Sequence, residues 1–274
     1  MSKRTAPPRR LIIVTDLDGS LLHPRTYSFE EAGPALELIR QRDVPLVLCS
    51  SKTRKELEVY RKRLDNGHPF ISENGGGIYL PAGYFPFHGP GDQREGYEVI
   101  SLGSPYEEIR KRFVTMRDRL GIAVRGFGDM STEEVAALTG LTFEEARLAK
   151  QRDYEEPFIF TDKPEDRFFR EIEGEGLRWT QGRFFHFMGD HHKGRAVNIL
   201  RRLYERRDGP VMTIGIGDSL NDLPFLLAVD RPVLVKKETG RHDARIDIPG
   251  LVRTEGIGPA GWNEAVMRLI SELP

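Results

Sequence analysis

The chain has 274 residues, with 38% hydrophobic and 30% charged residues and a formal net charge of −1. That suits a water-soluble globular protein of one large or two modest domains, and it excludes a global basic field for nucleic acid or membrane. A single cysteine, Cys49, rules out an internal disulfide. It ends an apolar stretch, so a buried, inert thiol is expected.

The start, MSKRTAPPRR, is basic and proline-rich, and the four apolar residues after it are too few for the hydrophobic region of a signal peptide. Residues 1–10 read as a flexible tail. No run is long enough to span a bilayer, and the cytoplasm is the expected location. Buried strands follow at 11–15 (LIIVT), 45–49 (PLVLC) and 69–72 (PFIS). Between the last two, TRKE (53–56) is a capping box opening a helix with Leu57, Tyr60 and Leu64 on one face. The segment 81–92, PAGYFPFHGPGD, is rich in Pro and Gly and reads as a boundary loop.

Beyond it the pattern changes. YEVIS (97–101) is a strand. SPYE (104–107) predicts a helix with Ser104 as cap and Pro at the first position; Ile109, Phe113, Met116 and Leu120 form its stripe and Gly121 stops it. Two more capping boxes, STEE (131–134) and TFEE (142–145), open further helices, and 157–160, 177–180 and 183–188 read as strands. After residue 190 the first pattern returns: a helix from Lys193 with Ala196, Leu200 and Leu203 inward, then strands at 211–216 and 232–235. Continuous apolar strands alternating with helices predict an α/β, Rossmann-like parallel sheet covered on both faces, interrupted by an α+β insert. The reading is a core at 11–82 and 190–274 with an insert at 83–189.

In such sheets ligands sit beyond the carboxyl ends of the strands. Asp16 and Asp18 follow the first strand. Ser50, Ser51 and Lys52 follow the second, and Glu73 and Asn74 the third. GDSLND (217–222) follows the strand at 211–216, and Lys193 opens the preceding helix. If these strands are neighbours, several carboxylates converge. Clustered carboxylates repel, and a divalent cation with oxygen-only ligands, magnesium by preference, removes the conflict. Asp16 and Asp218 would hold it. A carboxylate can also attack phosphorus, so Asp16 and Asp18 could divide nucleophilic and acid/base roles, with Ser50 donating to the phosphoryl oxygens and Lys193 neutralising charge. Each element alone has a plainer reading as a turn, a cap or a solvated lysine. Their co-occurrence in order carries the argument.

That order resembles the haloacid dehalogenase superfamily of phosphotransferases, matched by DLDGS (16–20), Ser50, Lys193 and GDSLND (217–222). The resemblance implies Asp16 as nucleophile and Asp18 as general acid/base. It also implies magnesium on Asp16, the backbone carbonyl of Asp18, and Asp218, with Asp222 supporting, and phosphate contacts from Ser50, Ser51, Lys193 and Asn221. The insert is then a cap that closes over substrate. Longer strings, among them CSSKTRKEL (49–57), ISENGGGIY (71–79), AKQRDYEEPF (149–158) and FFHFMGDHHKGRAV (184–197), resemble the mannosyl-3-phosphoglycerate phosphatases, whose lysine follows Asp where this chain has His192. The implied reaction releases phosphate from mannosyl-3-phosphoglycerate, leaving the compatible solute mannosylglycerate. Lys52, Glu73, Asn74, Gly75, Arg152 and Glu156 are the expected contacts to the small sugar-glycerate substrate, with Arg152 gripping its carboxylate. Another sugar phosphate, such as a glucosyl-3-phosphoglycerate or sucrose phosphate, remains an alternative. So do a phosphomutase and a silent phosphosugar-binding regulator. Nucleic-acid, zinc and membrane partners are not expected. Trp262 is expected in the core, and His186 either faces the cleft or is a satisfied interior group.

Overall fold

The computed structural model describes residues 9–272. The predicted tail lies outside the described residues up to residue 8, and Arg10 already belongs to the first strand. The strands are β1 (Arg10–Thr15), β2 (Leu46–Cys49), β3 (Phe70–Ser72), β4 (Gly77–Pro81), β5 (Asp92–Arg94), β6 (Tyr97–Ser101), β7 (Val124–Gly126), β8 (Glu155–Phe160), β9 (Arg178–Gln181), β10 (Phe185–Met188), β11 (Val211–Gly217), β12 (Arg231–Lys236) and β13 (Val252–Ile257). The helices are α1 (Gly33–Gln41), α2 (Arg54–Arg63), α3 (Tyr106–Leu120), α4 (Thr132–Thr139), α5 (Phe143–Ala149), α6 (Asp166–Gly174), α7 (Lys193–Asp208), α8 (Leu223–Leu226) and α9 (Gly258–Ser271).

Among the described residues two sheets form. The larger has the order β13-β12-β11-β1-β2-β3-β4-β6-β5. It is parallel from β13 to β3 and antiparallel from β3 to β5. The alternation along β1 splits its side chains between two apolar layers. Leu11 and Ile13 pack with residues of α1, α2 and α9, and Ile12 and Val14 pack with α7 and α8. Helices on both faces bury β1, β2, β3, β11 and β12, which is why those strands read as apolar runs, whereas the edge strand β13 is largely exposed. Trp262 is fully buried, as expected, and its Nε1 donates to Thr15 Oγ1 at 3.0 Å, just before Asp16.

The second sheet, β7-β8-β10-β9, is antiparallel throughout. Ile109, Phe113 and Met116 of α3 and Phe168 and Ile172 of α6 pack on one face with Phe158 and Phe187. This is the cap. The expected boundary at residue 83 falls inside the larger sheet, because β5 and β6 pair back onto β4. Nor is 81–92 a free linker: Phe85 is buried, and Tyr84 and Phe85 stack edge-on with Tyr204 of α7. The turn after Pro81 forms, with the Tyr84 amide donating to the Pro81 carbonyl, and the aromatic residues that follow it are anchored on α7. The capping boxes at Thr53, Ser131 and Thr142 form as the sequence implies. Ser104 does not cap α3. Pro105 holds the N-cap position in an extended conformation, and the Tyr106 N–H goes to the Asp153 carbonyl instead.

Candidate active site

Three strand ends of the large sheet meet. The Asp16 amide donates to the Ile216 carbonyl at 2.8 Å, which fixes the end of β1 against β11. The chain then turns at Gly19, whose φ is +85°. A side chain there would be strained, and its Cβ would stand 2.8 Å from Asp218 Oδ2. The glycine after the two aspartates therefore serves the approach of Asp218. At the end of β11, Asp222 Oδ2 accepts from the amides of Asp218 and Ser219 at 2.9 and 3.1 Å, while Ser219 Oγ donates to Asp218 Oδ2 at 2.8 Å.

Lys193 joins the two ends. Its side chain is fully buried, and Nζ donates to Asp16 Oδ1 and Asp222 Oδ1, both at 2.7 Å. His192, where Asp is usual, caps α7: its side chain accepts from the Arg195 amide, doing what a short acid would do there. His191 is buried, with Nε2 3.2 Å from the Glu73 carbonyl. Neither histidine joins the metal-competent cluster.

That cluster is Asp16, Asp218 and Asp222, each offering a carboxylate oxygen within 4.8 Å of the others. Burial raises the Asp16 pKa well above the carboxylate range; Lys193 pulls it down, and Asp222, Asp218 and Asp18 add to the rise. Asp218 is pushed up to about 7, by burial first and then by Asp222, against the opposing Lys237. One ammonium does not balance three buried carboxylates. The donor set is all oxygen, and its excess negative charge fits a hard divalent cation.

The acids face a cavity of about 660 Å³ between the sheet ends and the cap, lined by Asp16, Asp18, Ser51, Lys52, Arg152, Asp218 and Asn221. The cap contributes Gly182, Phe184 and His186. Phe184 and His186 alternate with Phe185 and Phe187 of the cap interior, so the period of two in RFFHFM already held this face of the cleft. Arg183 also lines the cavity; it donates to the Thr139 carbonyl within the cap at 2.8 Å and, across the interface, to the Tyr27 hydroxyl at 3.1 Å. Tyr27 and Lys237, also on the wall, carry no local signal in the sequence. Ser50 is buried at the end of β2, its hydroxyl accepting from the Lys52 amide at 3.3 Å.

The expected sugar and carboxylate contacts fare differently. Glu73 is fully buried, and its carboxylate accepts from the amides of Asp153, Tyr154 and Glu155 at 2.8–3.0 Å. It holds the start of β8 and has no free oxygen for a sugar hydroxyl. Arg152 lines the cavity, yet its guanidinium is spent on Glu155 Oε1 at 2.5 Å, on Glu73 Oε2 at 3.3 Å and on the Ser51 carbonyl at 2.9 Å. The expected carboxylate grip is therefore already filled by the protein's own acids. Glu156 turns away from the cavity: it accepts from the Gly128 amide at 2.9 Å and the Tyr106 hydroxyl at 2.6 Å. Asn74 donates to Glu155 Oε2 at 2.9 Å and accepts from Asn221 at 3.2 Å. Gly75, at φ +96°, lies so close to the start of α7 that a Cβ would meet the His192 carbonyl at 2.6 Å. These residues brace the junction of sheet and cap.

Residues 13–93 match the model of the haloacid dehalogenase-like hydrolase family. A glucosyl-3-phosphoglycerate/mannosyl-3-phosphoglycerate phosphatase of Methanococcoides burtonii is 45% identical over 266 residues, covering 95% of this chain and 97% of that protein. The mannosyl-3-phosphoglycerate phosphatase of Pyrococcus furiosus is 38% identical over 82% of this chain and 90% of its own. Among solved structures, a Thermoplasma acidophilum protein shares the fold with a TM-score of 0.70 at 17% identity, covering 96% of this chain and 99% of its own. The sucrose-phosphatase of Synechocystis gives 0.64 at 14% identity, covering 96% and 98%. Sequence and fold agree: the chain is a phosphatase of the haloacid dehalogenase-like hydrolases and belongs to the family of the glucosyl- and mannosyl-3-phosphoglycerate phosphatases.

Proposed function

We propose that this enzyme hydrolyses a sugar-linked 3-phosphoglycerate, mannosyl or glucosyl, releasing inorganic phosphate through an aspartyl-phosphate. The observation that carries the reading is the meeting of Asp16, Asp18 and Asp218 on the wall of one capped cavity, with Lys193 bonded to Asp16 from behind. The names of the relatives supply the substrate class.

Asp16 Oδ1 is held by Lys193, which leaves Oδ2 to attack phosphorus. The new Oδ2–P bond forms as the bond from phosphorus to the ester oxygen breaks, and Asp18 delivers a proton to that oxygen. Asp18 then takes a proton from water, which attacks phosphorus and frees Asp16 and phosphate. Asp16, the carbonyl of Asp18 and Asp218 would hold magnesium, with Asp222 behind them; the ion supplies positive charge against the phosphoryl oxygens. Lys193, together with the cation, would favour the ionised form of Asp16 against its burial, and Ser51 and Asn221 on the cavity wall, with Ser50 buried beside them, are the proposed donors to the phosphate. The cap excludes bulk water while this occurs. The cytoplasm, where sugar phosphoglycerates would be made, is its proposed location.

The test is phosphate release from mannosyl- and glucosyl-3-phosphoglycerate, sucrose phosphate and a plain phosphomonoester, with and without magnesium. A kcat/KM at least about 10²-fold higher for a sugar phosphoglycerate is expected. Equal turnover of all four would overturn the substrate assignment, and magnesium-independent turnover would overturn the cation.

A further inference from the structure

Lys52 stands directly after the two serines that follow β2, and it is 6% exposed. Its Nζ lies 3.0 Å from Asp18 Oδ2 and 3.6 Å from Glu56 Oε1. It also sits over the rings of Tyr27 and Tyr60, at 5.0 and 5.5 Å from their centroids. Burial works against its charge, but the Asp18 and Glu56 carboxylates outweigh burial and raise its pKa. An ammonium has three N–H donors. Asp18 takes one, and Glu56 stands beyond ordinary hydrogen-bond reach.

The other cations on the cavity wall are paired with groups that have no part in the proposed chemistry. Arg152 serves Glu73, Glu155 and the Ser51 carbonyl. Arg183 serves two carbonyls of α4 and Tyr27. Arg25 pairs with Glu238, and Lys237 with Asp243. Lys52 differs in that its close partner, Asp18, has work to do at the ester oxygen. The second oxygen of Asp18, Oδ1, has no hydrogen-bond partner among the described residues.

We propose that Lys52 is the specificity-determining residue for the leaving group: it takes the glycerate carboxylate and so sets the ester oxygen against Asp18. This rests on the sugar-phosphoglycerate reading above. In a 3-phosphoglycerate two carbons separate the carboxylate carbon from the ester oxygen. A group that touches the ester oxygen and a cation that touches the carboxylate must therefore be neighbours, as Asp18 and Lys52 are. A phosphomonoester lacking the acid leaves the ammonium and its ring-lined seat without the partner they fit, and such a mismatch discriminates strongly.

The experiment compares glucosyl-3-phosphoglycerate with the analogue in which a hydroxymethyl group replaces the carboxylate, on wild type, Lys52→Met and Lys52→Arg. The quantity read is the ratio of kcat/KM for acid over alcohol. Wild type should favour the acid by about 10²-fold or more. Lys52→Met should cut that ratio at least tenfold, and Lys52→Arg should retain most of it. A ratio in folded Lys52→Met within twofold of wild type overturns the assignment, since loss of Asp18 support alone would slow both substrates alike. A wild-type ratio near one sinks the sugar-phosphoglycerate reading itself. Thermal unfolding checks each variant, and Lys52→Gln carries the same comparison if the Met variant does not fold.

Discussion

Two buried groups of charges lie side by side at the junction of sheet and cap, and they are built oppositely. In one, Lys193 bonds Asp16 and Asp222, while Asp218 has no direct cationic partner among the described residues. In the other, Glu73 and Glu155 are met by Arg152, His186, Asn74 and three backbone amides. The first cluster lifts the pKa values of Asp16 and Asp218. In the second, burial alone would raise Glu155, yet His186, Arg152 and Asn74 hold it down at about 2, while Glu73 still rises to about 7 because burial outweighs Arg152 and the amides. Buried acids that are matched internally are architecture. Buried acids left in excess await a cation and a substrate.

Substitutions can break that contrast. The largest effect is expected for Asp16→Asn, which should lower turnover by at least about 10⁴-fold. The same change removes one of three repelling carboxylates, so metal-free stability at pH 8 should hold or rise in urea unfolding. A marked loss of stability would show that Asp16 is structural. Next comes Arg152→Ala, which leaves Glu73 and Glu155 buried without their guanidinium and should cost about 3–5 kcal/mol. Arg119→Ala, on a half-exposed pair with Glu171 and Glu175, should cost no more than about 1 kcal/mol. Equal costs would erase the difference between the braced junction and the surface.

A further difference is read in acid. Glu155 titrates lower in the folded protein than in the unfolded chain, so its stabilisation is complete above about pH 4.5 and is lost as the pH falls towards 2. Glu155→Gln should therefore lower stability at neutral pH and flatten the decline between pH 4.5 and 2, read as unfolding midpoints across that range. A decline as steep as wild type would place the acid sensitivity elsewhere.

The contrast also explains what the sequence disclosed. Asp16, Asp18, Asp218, Lys193 and Ser50 stand next to strand or helix ends, and a sheet with parallel neighbours must bring such ends together. The apolar runs needed to see that are local. Arg152, Glu73 and Glu156 are the opposite case. Their residue types suit a polar ligand equally well, and only the tertiary fold reveals that Glu73 faces three amides or that Glu156 faces Gly128. Tyr27 reaches the cavity from an irregular stretch with no periodicity to read, and Arg183 does so from the opposite parity to Phe184 and His186, just before β10 begins. The β5–β6 hairpin was assigned to the insert because pairing partners distant in sequence leave no mark on the strands themselves.

Residues 73–75 run through three consecutive left-handed conformations, with φ of 45°, 52° and 96°. Glu73 and Asn74 each adopt this shape at a cost of order 1–3 kcal/mol. The strain is held in place from three directions: by the first residues of β8, by the loop carrying Asn221, and by the backbone entering α7. A single kinked tripeptide thus ties together the first strand residues of the cap, the loop that carries Asp218 and Asp222, and the helix whose lysine stands behind Asp16.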